Sequence, residues 1–260
     1  MSKPLSGQHA LVTGASRGIG AAVAAALADA GATLSLTARD GDAVRTVATD
    51  LSAAHGVAAY GYGADATDEK QIADMLASAT AELGAPTILV NNAGGAESAR
   101  LLDESRAQWD RTILLNLTST FIAMQAVLPS MLAAGYGRIV NMASTAGLKG
   151  YAYVPSYCAA KHGVIGLTRA VALDTARKGV TVNAVCPGYT DTPMVADAID
   201  QAAAASGRTR EETVAAFTAA NPQRRLIDPA EVAATVLWLV LPTSSSITGQ
   251  SIAVAGGEVM

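Results

Sequence analysis

The chain of 260 residues carries a net charge of −4, with half of its residues hydrophobic and 15% charged. That balance excludes the basic face on which binders of a phosphate backbone rely, and the length allows one large α/β domain or two small ones. With aromatics at only 4%, alanine, valine, leucine and glycine must supply the core, a composition suited to helices packed closely on a sheet.

Short apolar runs alternate with longer helical ones. Strands are expected at HALVT (9–13), TLSLT (33–37), VAAYG (57–61), TILVN (87–91), RIVNMA (138–143), VTVNAV (180–185) and SIAVAG (251–256). Each is apolar nearly throughout, as strands covered on both faces must be. Helices are expected between them at 18–30, 40–54, 68–83, 105–133, 156–177 and 229–241. The alternation implies βαβ units and a doubly wound, mostly parallel sheet of seven strands with helices on both faces. One continuous sheet makes residues 1–260 a single domain. Residues 191–221 break the rhythm: they are helical in composition, with no strand before the next helix. They form either a flap over the strand ends or a surface helix pair. Their position directly after a Pro-Gly at a strand end favours the flap. The helix that follows opens on Asp228, Pro229 and Glu231, an N-cap, a first-turn proline and the acid of a capping box.

LVTGASRGIGAAVA joins the first strand to the first helix and sets Gly14, Gly18 and Gly20 in a G-x-x-x-G-x-G pattern. Such a turn lets the backbone approach a pyrophosphate at a helix N-terminus, so a dinucleotide site is expected here. The second strand ends in LTARD. Arg39 there and Arg17 in the glycine loop suit a ribose 2′-phosphate, because guanidinium forks favour that group. NADP(H) is therefore the preferred cofactor. Asp40 keeps NAD(H) possible.

PSYCAAKHG sets Tyr157 and Lys161 four positions apart, which stacks them on one face of a helix. Hydride transfer to a ketone leaves an alkoxide that needs a proton, and a phenol of ordinary pKa near 10 is a sluggish partner at neutral pH. A lysine one turn away favours the phenolate and is expected to lower that pKa. Ser144, at the end of the fifth strand, is placed to donate a hydrogen bond to the substrate oxygen. His162 points to another face of the helix and reads as structural; His9 and His55 carry no signal.

TGASRGIG (13–20), NNAG (91–94), Asn116 in LLNLTS, Ser144 in VNMAS, YCAAK (157–161) and NAVCPGYTDTPM (183–194) follow one another in order, with Ser144 thirteen residues before Tyr157. Over essentially its full length the chain resembles the short-chain dehydrogenase/reductase family. The resemblance implies a Rossmann-like fold and a catalytic tetrad of Asn116, Ser144, Tyr157 and Lys161, in which Asn116 holds a water linking Lys161 to solvent. It extends cofactor contact to Ser16, Ile19, Ala66, Asn91, Asn92, Ala93, Gly94, Tyr157, Lys161, Pro187, Gly188, Thr190 and Thr192, with Thr192 as hydroxyl partner of the carboxamide. Asp65 is either an adenine contact or a turn aspartate.

The likeness is greatest to 3-oxoacyl thioester reductases and aromatic polyketide ketoreductases. The variable segments 95–100, 145–155 and 191–221 offer Tyr151, Tyr153, Tyr189 and Met194. That lining suits a hydrophobic ketone or acyl thioester, with Ser144, Tyr151, Tyr157, Tyr189 and Met194 as substrate contacts. Catabolic secondary-alcohol and 3-hydroxyacyl-CoA dehydrogenases share the framework. Arg224 and Arg225 are a solvated helix edge or a contact for an acyl-carrier phosphate. A sensor binding NADP(H) without turnover would be expected to lack Tyr157 or Lys161. An extended lyase or epimerase would need a longer C-terminal substrate domain. Cys158 and Cys186 have no paired spacing and no histidine cluster, so neither a disulfide nor a metal site is expected. MSKPLSGQHALVTG lacks the apolar run of a signal peptide, and no uninterrupted apolar stretch approaches about 18 residues. A cytoplasmic, soluble homotetramer acting on small molecules, with no membrane or nucleic-acid partner, is the expectation.

Overall fold

A computed structural model describes residues 3–260. Seven strands form one sheet in the order β3-β2-β1-β4-β5-β6-β7. They are β1 (His9–Thr13), β2 (Thr33–Ala38), β3 (Ala59–Gly63), β4 (Ile88–Asn91), β5 (Gly137–Met142), β6 (Val180–Pro187) and β7 (Ser251–Val254). Every pairing is parallel. The chain order reverses between β1 and β4, which opens a crevice beyond the carboxyl ends of those strands.

Alternating side chains build two cores, one on each face of the sheet. Ala10, Val12, Leu34, Leu36, Val90 and Val140 pack under α1 (Gly18–Asp29), α2 (Gly41–His55) and α9 (Pro229–Val240). Leu11, Leu89, Ile139 and Val182 pack under α3 (Glu69–Leu83), α5 (Ser119–Ala134) and α6 (Pro155–Thr175). Asp40, Asp68 and Ser105 cap α2, α3 and α4 (Arg106–Ile113) through their side chains. The expected capping box of Asp228 and Glu231 opens α9.

Three boundaries differ from expectation. β3 runs two residues later than VAAYG, because Gly61 and Gly63 continue the ladder. A Cβ on Gly61 would lie 2.6 Å from the Arg45 backbone, so glycine there is what lets α2 cross the edge strand closely. β7 stops at Val254, where Gly256 turns the chain with φ +59°. The long helix expected at 105–133 is divided by a π-helical turn, Leu114–Thr118, around Asn116. There the Ser119 amide bonds the Leu114 carbonyl, and the Ser119 hydroxyl takes the Leu115 carbonyl at 2.6 Å.

Residues 106–134 are long and apolar enough to cross a bilayer by length and composition. Their Ile122, Met124, Val127 and Met131 are nevertheless buried in the second core, the place of a core helix. The segment expected at 191–221 becomes α7 (Pro193–Ser206) and α8 (Arg210–Phe217), and an isolated bridge from Thr190 to Ile227 pins the base of the excursion to which they belong.

Candidate active site

The crevice is a cleft of about 940 Å³. At one end lies the glycine loop. Gly14 and Gly18 hold φ of +65° and +58°, which side-chain-bearing residues rarely adopt. A Cβ on Gly14 would stand 2.9 Å from the Ala93 Cα. Arg17 forms the N-cap of α1 with no side-chain hydrogen bond, and the first turn has no acid. The amides that open α1 are therefore left for an external acceptor, as a pyrophosphate requires. Ser16, Arg17, Gly18 and Ile19 line this end. Gly20 does not. Its missing side chain would meet the Gly14 carbonyl oxygen at 2.3 Å, so it is a packing glycine beneath the loop rather than a ligand contact.

Arg39, Asp65 and Ala66 line the cleft where an adenosine would lie. Arg17 and Arg39 are exposed, and among the described residues neither forms an ion pair. Asp40 lines the same end, but its carboxylate accepts the Ala43 amide at 3.0 Å as the cap of α2. Asp65 is the turn aspartate that was one of its two expected readings. One oxygen accepts from the Thr67 amide and hydroxyl, at 2.9 and 2.7 Å, in a turn that also borders the cleft.

Asn92, Ala93 and Gly94 form the floor. The Asn92 amide donates to the Thr13 and Gly14 carbonyls at 3.1 and 2.9 Å and so clamps β4 to the glycine loop. Asn91 is absent from the lining. It is buried in the sheet and donates to Asn141 at 2.9 Å, which in turn donates to Thr168 of α6. Pro187, Gly188, Thr190 and Thr192 close the far wall. The Thr192 hydroxyl caps α7 at Val195, and its methyl would touch a Cβ on Gly18 at 3.2 Å.

Asn116, Ser144, Tyr157 and Lys161 all face this cleft. α6 begins at Pro155, which presets the first turn and projects Tyr157 and Lys161 along one face. Lys161 is buried, and its ammonium donates to the Met142 carbonyl at 2.8 Å. It lies 5.5 Å from the Tyr157 ring centroid. The Asn116 amide donates to the Gly95 and Thr112 carbonyls, at 2.8 and 3.0 Å, and accepts the Gly95 amide at 3.1 Å. Its side chain thus holds the floor loop. A Cβ on Gly94 would meet Asn116 Oδ1 at 2.9 Å and Lys161 Nζ at 3.5 Å, which shows how tightly these groups converge.

Burial pushes the Tyr157 phenol up to about 12, against a downward pull from its hydrogen bond with Ser144. Burial pushes Lys161 down to about 8. In the free protein desolvation dominates both groups.

Two expected substrate contacts are absent from the lining. The Tyr151 hydroxyl is engaged by Thr145 at 2.7 Å and by Glu258, and its ring meets Tyr189 edge-on at 6.4 Å. Tyr189 leans on Phe217 of α8 at 4.8 Å. These rings build the outer wall, while Met194 reaches the cleft. Sequence reasoning missed Leu115, Met142 and Val195, apolar lining residues with no motif of their own.

Comparison with known proteins agrees with this geometry. The family described as short chain dehydrogenase matches residues 8–203. The chain is 38% identical over 250 residues to a D-beta-hydroxybutyrate dehydrogenase of Rhizobium meliloti, covering 95% of this chain and 97% of that one. It is also 38% identical to the 3-oxoacyl-[acyl-carrier-protein] reductase FabG of Vibrio cholerae, covering 98% and 99%. A crystal structure of a variant actinorhodin polyketide ketoreductase with NADPH superposes with a TM-score of 0.93 at 37% identity, covering 99% of both chains. By sequence along nearly its whole length and by fold, this chain belongs to the short-chain dehydrogenase family, oxidoreductases acting on carbonyl and secondary-alcohol groups.

Proposed function

We propose that the protein reduces a hydrophobic ketone or 3-oxoacyl thioester with NADP(H), working as a single domain over residues 1–260. The observation that carries this reading is the convergence of Ser144, Tyr157 and Lys161 on a cleft whose other end is an uncapped helix N-terminus. The two unpaired arginines support NADP(H) over NAD(H), and the use of Asp40 as a helix cap removes the acid that argued otherwise. The likeness to an NADPH-bound ketoreductase supports the same choice. Gly14, Ser16, Arg17, Gly18 and Ile19 would hold the pyrophosphate and 2′-phosphate end with Arg39. Asp65 and Ala66 would border the adenine, Asn92, Ala93 and Gly94 the ribose, and Pro187, Gly188, Thr190 and Thr192 the carboxamide. When bound, the nicotinamide supplies the hydride.

The protein's own part is the proton. Tyr157, neutral at pH 7, donates its hydroxyl proton to the developing alkoxide. An alcohol is about as weakly acidic as water, with pKa ~15.7, so transfer from a phenol near 12 is downhill. Ser144 donates a hydrogen bond to the same oxygen. Lys161 keeps its positive charge at neutral pH beneath the phenol. The π-helical turn holds Asn116 beside it, where its side chain ties down the Gly95 backbone of the floor loop.

The likeness to a hydroxybutyrate dehydrogenase favours, as a second reading, NAD-dependent alcohol oxidation. Following the NADPH and NADH absorbance bands with 3-oxoacyl thioesters, aryl ketones and secondary alcohols, in both directions, tests both readings. No turnover of any carbonyl or alcohol, with tight NADPH binding retained, would establish a sensor instead. Exposed Phe121, Leu173 and Trp238 support a homotetramer. A monomer by light scattering at micromolar concentration would refute it. The burial of Ile122, Met124, Val127 and Met131 supports a soluble protein.

A further inference from the structure

Glu258, on the segment that follows β7, has a side chain only 2% exposed. Glutamates are almost never buried without a partner. Glu258 has three neighbours, all on loops beyond the strand ends. It accepts a hydrogen bond from the Tyr151 hydroxyl and an ion pair from Lys149 at 3.0 Å. Its second oxygen sits behind Gly188, where a Cβ would meet it at 3.2 Å. The same Tyr151 hydroxyl bonds Thr145, the residue after Ser144. The Lys149 ammonium also lies over the Tyr151 ring, 4.9 Å from its centroid.

We infer that Glu258 is a positioning residue and a charge mask for the substrate end of the cleft. This inference rests on the ketone-reductase reading and deepens it. The carboxylate holds the 145–151 loop, and with it the Ser144 hydroxyl, against the loop of Gly188. It also neutralises Lys149, which is one-third exposed at this end of the molecule. The masked end suits an uncharged ketone or thioester. Once the mask is removed, Lys149 is free to attract an anionic 3-oxo acid.

The test compares wild type with Glu258→Gln, Tyr151→Phe and the double variant Lys149→Met/Glu258→Gln. Probes are NADPH with the N-acetylcysteamine thioester of acetoacetate, and with acetoacetate itself. Glu258→Gln is expected to raise KM for the thioester about fivefold, the weight of one hydrogen bond, with KM for NADPH unchanged. It is expected to improve kcat/KM for acetoacetate relative to the thioester, and the double variant is expected to abolish that gain. Tyr151→Phe, which removes one oxygen and keeps the ring, is expected to raise the thioester KM without favouring acetoacetate. Hydrogen exchange provides a readout independent of turnover: amides 145–149 are expected to exchange faster in Glu258→Gln while those of β6 do not. Unchanged exchange at 145–149, or a thioester KM that moves in step with KM for NADPH, would overturn the inference. If wild type turns over neither probe, the ketone-reductase reading and the charge mask fail together, and exchange still decides whether Glu258 holds the loop.

Discussion

Replacing Tyr157 by phenylalanine removes a single oxygen and leaves the ring, its place on α6 and the cleft volume almost unchanged. Two contributions to turnover are lost with it. One is the proton donor, and general acid catalysis by a positioned side chain is worth about 10²–10⁴. The other is the contact of that hydroxyl with Ser144, its neighbour in the cleft. Taking the middle of the first range and little from the second gives a loss of roughly 10³ in kcat, about 4 kcal/mol at 1.36 kcal/mol per decade. KM for NADPH is expected to hold, because the hydroxyl lies at the opposite end of the cleft from Arg17 and Arg39. The assay is steady-state oxidation of NADPH with the best ketone of the panel, alongside fluorescence titration of the cofactor. A variant within tenfold of wild-type kcat would refute the assignment. Lys161→Met separates the roles further. It leaves the hydroxyl in place but removes the charge that Lys161, with a pKa of about 8, carries at pH 7, so its deficit is expected to be smaller for reduction than for oxidation.

Other perturbations test the rest of the site and the fold. Arg39→Ala and Arg17→Ala are each expected to raise KM for NADPH by about 10- to 100-fold, the weight of a charged hydrogen bond, while KM for NADH stays put; equal losses for both cofactors would refute the 2′-phosphate argument. Gly20→Ala drives a methyl toward the Gly14 carbonyl oxygen and is expected to lower Tm by several degrees, about 2–4 °C per kcal/mol of strain in a chain near this size. Gly150→Ala, with open space around it, is the control expected to change nothing. His9 is buried between Gly84, which accepts from Nδ1 at 2.7 Å, and Ser35, whose hydroxyl donates to Nε2 at 2.8 Å. Burial holds its pKa below the usual histidine value, so the unfolded chain binds the proton first. Stability is therefore full above about pH 6.5 and falls as the pH drops below it. Urea midpoints from about pH 7.5 to 5 are expected to decline in wild type and to flatten in His9→Gln; parallel slopes would show that other groups carry the acid sensitivity.

Of the tetrad, Asn116 came only through the family resemblance. The other three members were legible from local rules: two side chains four apart on a helix must share a face, and a serine that ends a parallel strand must open on the crevice. The glycine loop was legible for the same reason, except that Gly20 serves the packing of its own loop. What a side chain does when its partner lies a hundred residues away was not legible. Tyr151 looked like a substrate contact from its place after Ser144, yet its hydroxyl is claimed by Glu258 across 107 positions of sequence. Asn91 looked like a ribose contact, yet its amide is spent on Asn141 inside the sheet.

The proton chemistry lies furthest from the sequence, because burial sets it and spacing does not. Four residues of separation suggested a lysine that acidifies its tyrosine. In the folded chain both groups are desolvated, and desolvation moves them in opposite directions, the phenol up and the ammonium down. A raised phenol pKa favours the direction in which Tyr157 gives up a proton. Oxidation needs the phenolate, which the positive charge of Lys161 supports. The pH profiles of the two directions should consequently diverge: reduction stays level through neutrality, whereas oxidation climbs with pH. Profiles of the same shape would show that a group other than Tyr157 limits the proton transfer.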